Sequence, residues 1–251
     1  MLKTSTFLTI CWLCIFRIAP AETGSNANSS INVVSEAWPP YIVVNDKVAI
    51  GLEVDIAREV FRQLSINMTF SEVPWKRAVL TVQEKHADAI LGIFSNVERR
   101  DYFYYPDESL LETTYAVFSR VDESVSYQSI NDLSGLRVAI TRGYFYSQEF
   151  SDATDFKKVE VTNVKQSFGM LSLGRVDVVI ENRDVGNYYA DLLNIKDNIF
   201  VAKQTLTKPK PHYLAFAMTE RNKELVMRFS DTLKKFKQTP DYQRLLKKYG
   251  R

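Results

Sequence analysis

One alternation of apolar runs and helical stripes occurs twice along this chain, and it limits the possible folds more than any single motif does. In the first copy INVVSE is a strand, and GLEVDIAREVFRQLS follows with Ile56, Val60 and Leu64 on one helical stripe. NMTFSEV is a second strand, PWKRAVLTVQEK is a helix with Pro74 at its first position, and DAILGIF is apolar enough to be buried on both faces. The second copy runs LRVAITR, a short helix after RGYFYSQEF, KKVEVT, the helix NVKQSFGMLSLG and the strand DVVIEN. Parallel strands need long crossovers, and those crossovers cover both faces of the sheet, so the pattern predicts an α/β fold of mainly parallel sheets flanked by helices. Two copies predict two lobes. KHADAILG and GRVDVVIE each set an acid, Asp88 or Asp177, between a helix end and an apolar run, which reads in both as a strand-entry turn.

A single β-α-β-α-β unit leaves sheet edges and a bare sheet face, and the remainder of the chain is suited to cover them. YLAFAM is a strand, Leu225, Phe229, Leu233 and Phe236 form one helical stripe, and Thr239 caps a last helix opened by Pro240 and ending near Gly250. This tail is expected to return to the first lobe. The predicted division is 31–117 with 213–251 in lobe 1 and 118–212 in lobe 2, with chain crossings near TTYAVF and HYLAF that together form a two-strand hinge.

The opening MLKTSTFLTICWLCIFRIAPA has a basic start, an apolar middle and an A-x-A end, and reads as a signal peptide over 1–21, followed by a flexible stretch over 22–30. No other stretch approaches the roughly 18 apolar residues that span a bilayer. Cys11 and Cys14 both lie in the opening segment, so neither a disulfide nor a lipid anchor is expected in the mature protein, which suits a bacterial periplasm. Lys and Arg number 32 against 30 Asp and Glu, and removal of Lys3 and Arg17 makes them equal, which argues against a nucleic-acid partner. Lys234, Lys235, Lys237, Lys247 and Lys248 read as a solvated helix face. His86 lies in a helix-to-strand turn and His212 beside a proline, so neither is placed as a general base; metal-ligand spacing and a glycine-rich phosphate loop are absent, and no cofactor is expected.

The stretch SNVERRDYFYYP puts Arg99 and Arg100 just after the buried strand DAILGIF, where open α/β sheets hold their ligands. A carboxylate removed from water costs several kcal/mol unless it is paired, and a planar guanidinium supplies two parallel N–H donors to it. One of the two arginines is expected to be a surface residue pairing with Glu98 or Asp101. Trp38 follows the first strand and Trp75 the second, so two flat walls could face one cleft, although tryptophan more often packs a core. Tyr41, Arg77 and Gly92 are further binding candidates.

In order, WPPY, GLEVDIA, PWKRAVLTVQEKHADAILG, VERR, DLSGLRVAITRG and GRVDVVIEN resemble the polar amino-acid type of periplasmic solute-binding protein, bacterial extracellular family 3, over about Ile31 to Gly250. The resemblance implies one small-molecule ligand clamped between two lobes of a monomer and delivered to the membrane permease of an ABC importer. A module presenting its solute to a membrane receptor would use the same cleft, and a few relatives, the cyclohexadienyl dehydratases, do chemistry there. In the family an arginine after the third strand takes the ligand carboxylate. Matching the E-R pair puts Arg99 at that place and gapless counting from Asp88 puts Arg100 there; Arg99 is preferred because the loop looks one residue shorter. The positions of Trp38 and Trp75 sandwich the ligand in the family. Gly143 lets backbone approach it, and Tyr144 stands where hydroxyl residues are common. The family aspartate that pairs with an α-ammonium is matched here by Asn182, with Glu181 before it. The expected ligand is therefore a small carboxylate-bearing or amino-acid-like molecule, with an ordinary α-amino acid disfavoured because Asn182 carries no charge for its ammonium.

Overall fold

A computed structural model describes residues 29–46 and 48–251. The signal peptide, both cysteines and the start of the predicted flexible stretch lie outside the described residues. The chain runs through β1 (Ser29–Ser35), β2 (Val43–Asn45), β3 (Val48–Ile50), α1 (Leu52–Gln63), β4 (Ile66–Glu72), α2 (Trp75–Gln83), β5 (Ala89–Phe94) and α3 (Val97–Arg100). Next come β6 (Phe103–Tyr104), β7 (Leu111–Thr113), β8 (Tyr115–Arg120), β9 (Arg137–Thr141), α4 (Gln148–Asp152), β10 (Lys157–Val161), α5 (Val164–Ser172) and β11 (Val178–Asn182). The last elements are α6 (Arg183–Leu192), β12 (Ile199–Thr205), β13 (Lys210–Ala217), α7 (Glu220–Phe236) and α8 (Pro240–Lys248).

Two mixed sheets carry the two lobes. One has the order β4-β1-β5-β13-β6, with β7 also on β13, and the other β10-β9-β11-β8-β12. Each holds three parallel strands from one β-α-β-α-β copy, and the crossing strand of each, β13 or β8, joins antiparallel. The chain leaves the first sheet after Thr113, enters the second at Tyr115, and returns between Thr205 and Lys210. Both crossings lie about three residues before the predicted boundaries, because β8 pairs with β11 from Tyr115 onward and β13 already pairs with β7 at Lys210. The C-terminal helices cover the first sheet: Phe61, Phe216 and Phe229 pack ring against ring, and Leu225 and Leu233 are buried with them.

Local chemistry explains the element ends. Pro74 stands at the N-cap of α2 and not at its first helical residue, because its backbone is extended at ψ 142. Thr239 caps α8 and Pro240 opens it, as the sequence indicates. Asp88 accepts a hydrogen bond from Asn32 N at 2.8 Å, and Asp177 accepts one from Arg137 N at 2.7 Å. Both acids therefore close the entry to the neighbouring parallel strand, one in each copy. Of the basic tail, Lys237 pairs with Glu108 and Lys248 with Asp55, while Lys234, Lys235 and Lys247 are exposed.

Candidate functional site

The lobes meet over a narrow cleft lined by side chains from both of them. Its lining comes from strand ends and the turns after them. After β1, Trp38 and Ile42 exchange backbone hydrogen bonds of 2.7 and 3.0 Å around Pro39 and Pro40, and this tight turn stands Trp38 in the cleft wall. After β4, Trp75 begins α2. Glu36 lies at that helix start, where its carboxylate accepts from Trp75 N at 3.3 Å in a position that favours negative charge. After β5, Asn96 caps the single turn of α3 by accepting from Arg99 N at 2.7 Å, and so aims Arg99 back toward the strand end.

Of the two arginines, Arg99 faces the cleft and is buried, whereas Arg100 is exposed and lies over the ring of Tyr105. Arg99 donates to Phe94 O at 3.0 Å and Gly143 O at 2.9 Å, and its guanidinium lies 5.6 Å from the Trp75 ring. Among the described residues no carboxylate accepts a hydrogen bond from it, and burial lowers its pKa. The site thus offers a desolvated cation without a counter-charge.

The second lobe closes on these groups through Gly143, whose carbonyl accepts from Arg99 and also from Trp75 Nε1 at 2.9 Å. Its φ of +81° is readily available to glycine, and its carbonyl holds both donors. Tyr144 lines the cleft, meets Trp75 edge to face and donates its hydroxyl to the Glu36 carboxylate. Glu181, at 1% exposure, accepts from Trp38 Nε1 at 3.1 Å and from Asn182 N at 2.7 Å. Desolvation is the largest influence on both acids, pushing Glu36 up to about 7 and Glu181 up to about 8.

Besides Arg100, and Glu181 which bonds Trp38 without lining the cleft, three candidates stand elsewhere. Arg77 is exposed on α2 and does not line the cleft. Tyr41 lies behind Trp38, stacked on it at 4.9 Å, with its hydroxyl donating to Asp184 at 2.7 Å. Asn182 does not face the cleft: its amide oxygen caps α6 by accepting from Asp184 N and Val185 N, and its amide nitrogen donates to Thr113 Oγ1. Side chains alternate along a strand, so Glu181 is the residue turned toward Trp38. The objection to an α-amino acid rested on Asn182 meeting the ligand, and it falls with that position.

Gly92 lines the cleft in mid-strand, and so do Phe145 and four residues that the sequence does not single out for binding: Glu36, His212, Phe94 and Tyr115. Beneath them Glu53 is fully buried. Two signals were available. Glu53 shares a helical stripe with Ala57 and Val60, and His212 shares strand parity with Leu214 and Phe216, so each polar residue lies on an apolar face.

The model for bacterial extracellular solute-binding proteins, family 3, matches residues 31–251. An arginine-binding periplasmic protein of Mannheimia haemolytica is 19% identical over 97% of this chain and 97% of its own length. The holo structure of ArgBP from T. maritima superposes with a TM-score of 0.71 at 20% identity, covering 89% of this chain and 96% of its own. A histidine kinase sensor domain with similarity to periplasmic binding proteins gives a TM-score of 0.77 at 19% identity, over 88% and 95%. With two α/β lobes, two crossings and a buried guanidinium in the cleft between them, the chain belongs to the bacterial extracellular solute-binding proteins, family 3.

Proposed function

We propose that the protein is exported to the periplasm and there clamps a small amino-acid-like solute between its lobes, for delivery to the permease of an ABC importer. The solute carboxylate lies on Arg99, and its ammonium lies against the acids Glu36 and Glu181. The observation that carries this reading is the buried Arg99 guanidinium with two carbonyl partners and no carboxylate, because a desolvated cation is strongly stabilised by an anion held bidentate. Two acids whose pKa values burial raises, Glu36 in the cleft lining and Glu181 hydrogen-bonded to Trp38, suit an ammonium, which would restore their charge. Trp38 and Trp75 form the walls. The full-length relative from Mannheimia haemolytica, named for arginine, supports an amino acid as the class.

A thermal-shift screen of the common amino acids and simple carboxylates on wild type, Arg99→Ala and Arg100→Ala tests the reading. A solute at a hundred times its dissociation constant stabilises by about 2.7 kcal/mol. The expected result is a shift with amino acids that is lost in Arg99→Ala and kept in Arg100→Ala. A strong shift that survives in Arg99→Ala would overturn the carboxylate anchor.

A further inference from the structure

At the floor of the cleft, under Trp38 and Phe94, lies a buried pair with no part in holding the carboxylate or the ammonium. Glu53, on the buried face of α1, is 0% exposed, and His212, in β13, is 2% exposed; Glu53 Oε1 and His212 Nδ1 are 2.5 Å apart. Glu53 Oε2 has no hydrogen-bond partner. The His212 ring packs at 4.9 Å from Trp38 and 4.6 Å from Phe94, and it lines the cleft. Among the described residues its second nitrogen, Nε2, has no hydrogen-bond partner. Phe94 separates the two polar ends of the site: its carbonyl accepts from Arg99, and its ring contacts His212.

The backbone makes room for this pair at one place. In the pairing of β5 with β13, Ile93 faces Tyr213 and Leu91 faces Leu214, so Gly92 is the extra residue of a bulge, with φ at +75°. A Cβ at Gly92 would stand 2.9 Å from Glu53 Oε2 and 3.2 Å from His212 Cε1. Bulges beside binding sites re-aim side chains, and this one leaves space for the imidazole and the carboxylate under the solute.

Burial also constrains the pair. An isolated carboxylate at this depth is costly, and among the described residues Glu53 has no ion-pair partner other than His212. Where Nδ1 accepts the Glu53 hydroxyl, or donates to its carboxylate as part of an imidazolium, Nε2 carries a hydrogen. The cleft floor then presents an N–H donor and no acceptor.

We propose that Glu53 and His212 form a specificity-determining pair, whose Nε2–H selects solutes bearing an acceptor oxygen at the end remote from their carboxylate. Amide carbonyl, hydroxyl and carboxylate ends are accepted. A methyl end leaves the donor unpaired, and an ammonium or guanidinium end opposes it. This inference rests on the amino-acid reading of the cleft. Titration calorimetry with two size-matched pairs, L-glutamine against L-norleucine and L-threonine against L-valine, tests it on wild type and on His212→Phe, with Arg99→Ala as the control for the anchor. At least one oxygen-bearing member is expected to bind wild type about tenfold or more tightly than its partner, with the ratio falling to near one in His212→Phe. Nitrogen-detected spectra of histidine-labelled protein give a second readout. The chain has 2 histidines, and the other, His86, is removed by His86→Gln. The His212 Nε2 resonance is expected to move with the oxygen-bearing solute more than with its partner, and this measurement decides the matter if His212→Phe does not fold. If no amino acid binds wild type, or binding survives Arg99→Ala, the amino-acid reading fails and this inference falls with it. If amino acids bind through Arg99 while His212→Phe leaves the ratios unchanged, or the Nε2 resonance stays still, the specificity pair alone is overturned.

Discussion

Lobe closure without solute should take up protons. Closing brings Glu36, just after β1, and Glu181, in β11, into one water-poor cleft, where burial raises them from 4.5 to about 7 and about 8. The hydrogen bonds from Tyr144 and Trp75 to Glu36, and from Asn182 and Trp38 to Glu181, offset only part of that rise. An open form that admits water to both carboxyls would let them titrate as ordinary glutamates. An acid whose pKa is higher in the closed form holds its proton more tightly there. Closure is therefore most favoured below about pH 4.5, weakens as pH rises through the interval to about 8, and is least favoured above it. At ~1.36 kcal/mol per pKa unit the two rises correspond to on the order of 3 and 5 kcal/mol. Glu36 is itself one cause of the rise at Glu181, so the two titrations are linked and their sum is an upper bound. A small fraction of it, about 1.4 kcal/mol, already changes the open-to-closed ratio tenfold. The assay is small-angle scattering on protein stripped of solute by unfolding and refolding. The radius of gyration should be smaller at pH 5 than at pH 8.5 in wild type. In Glu36→Gln with Glu181→Gln that difference should disappear. A wild-type radius independent of pH over this range would refute the argument that these two acids oppose closure.

Trp75→Phe keeps a ring in the wall and removes the 2.9 Å bond to Gly143 O across the lobes, so amino-acid affinity should fall by about 0.5–1.5 kcal/mol in calorimetry with thermal stability of the solute-free protein unchanged. Asn182→Ala removes the cap of α6 and the tie to Thr113 and should lower unfolding stability by about 0.5–2 kcal/mol in denaturant titration, while the ranking of solutes stays as in wild type.

The legible and the illegible parts of this site differ by the range of the interactions that make them. Arg99 was readable because a guanidinium just past a buried strand is a local pattern, and the choice over Arg100 turns on one helical turn that Asn96 caps. Asn182 misled because its place at a strand end matched a ligand position, while its side chain is taken by the N–H groups of the second and third residues of the helix that starts there. Glu181, one residue earlier, is turned toward Trp38 by strand alternation once Asn182 is the cap. Glu53 and His212 are 159 residues apart, and neither alone signals that a bulge at Gly92 will bring them together.

Period and punctuation in the sequence determined the two β-α-β-α-β copies, the tail helices with their Thr239 and Pro240 start, and the crevice at the strand ends, because each follows from the geometry of a few neighbouring residues. Tertiary structure alone decided which polar groups share the cleft. Glu36 meets Tyr144 and Trp38 meets Glu181 only when two lobes from distant parts of the chain close, and their charges respond to the water that closure removes. Burial depends on every element that covers a group, and no local stretch of sequence contains that information.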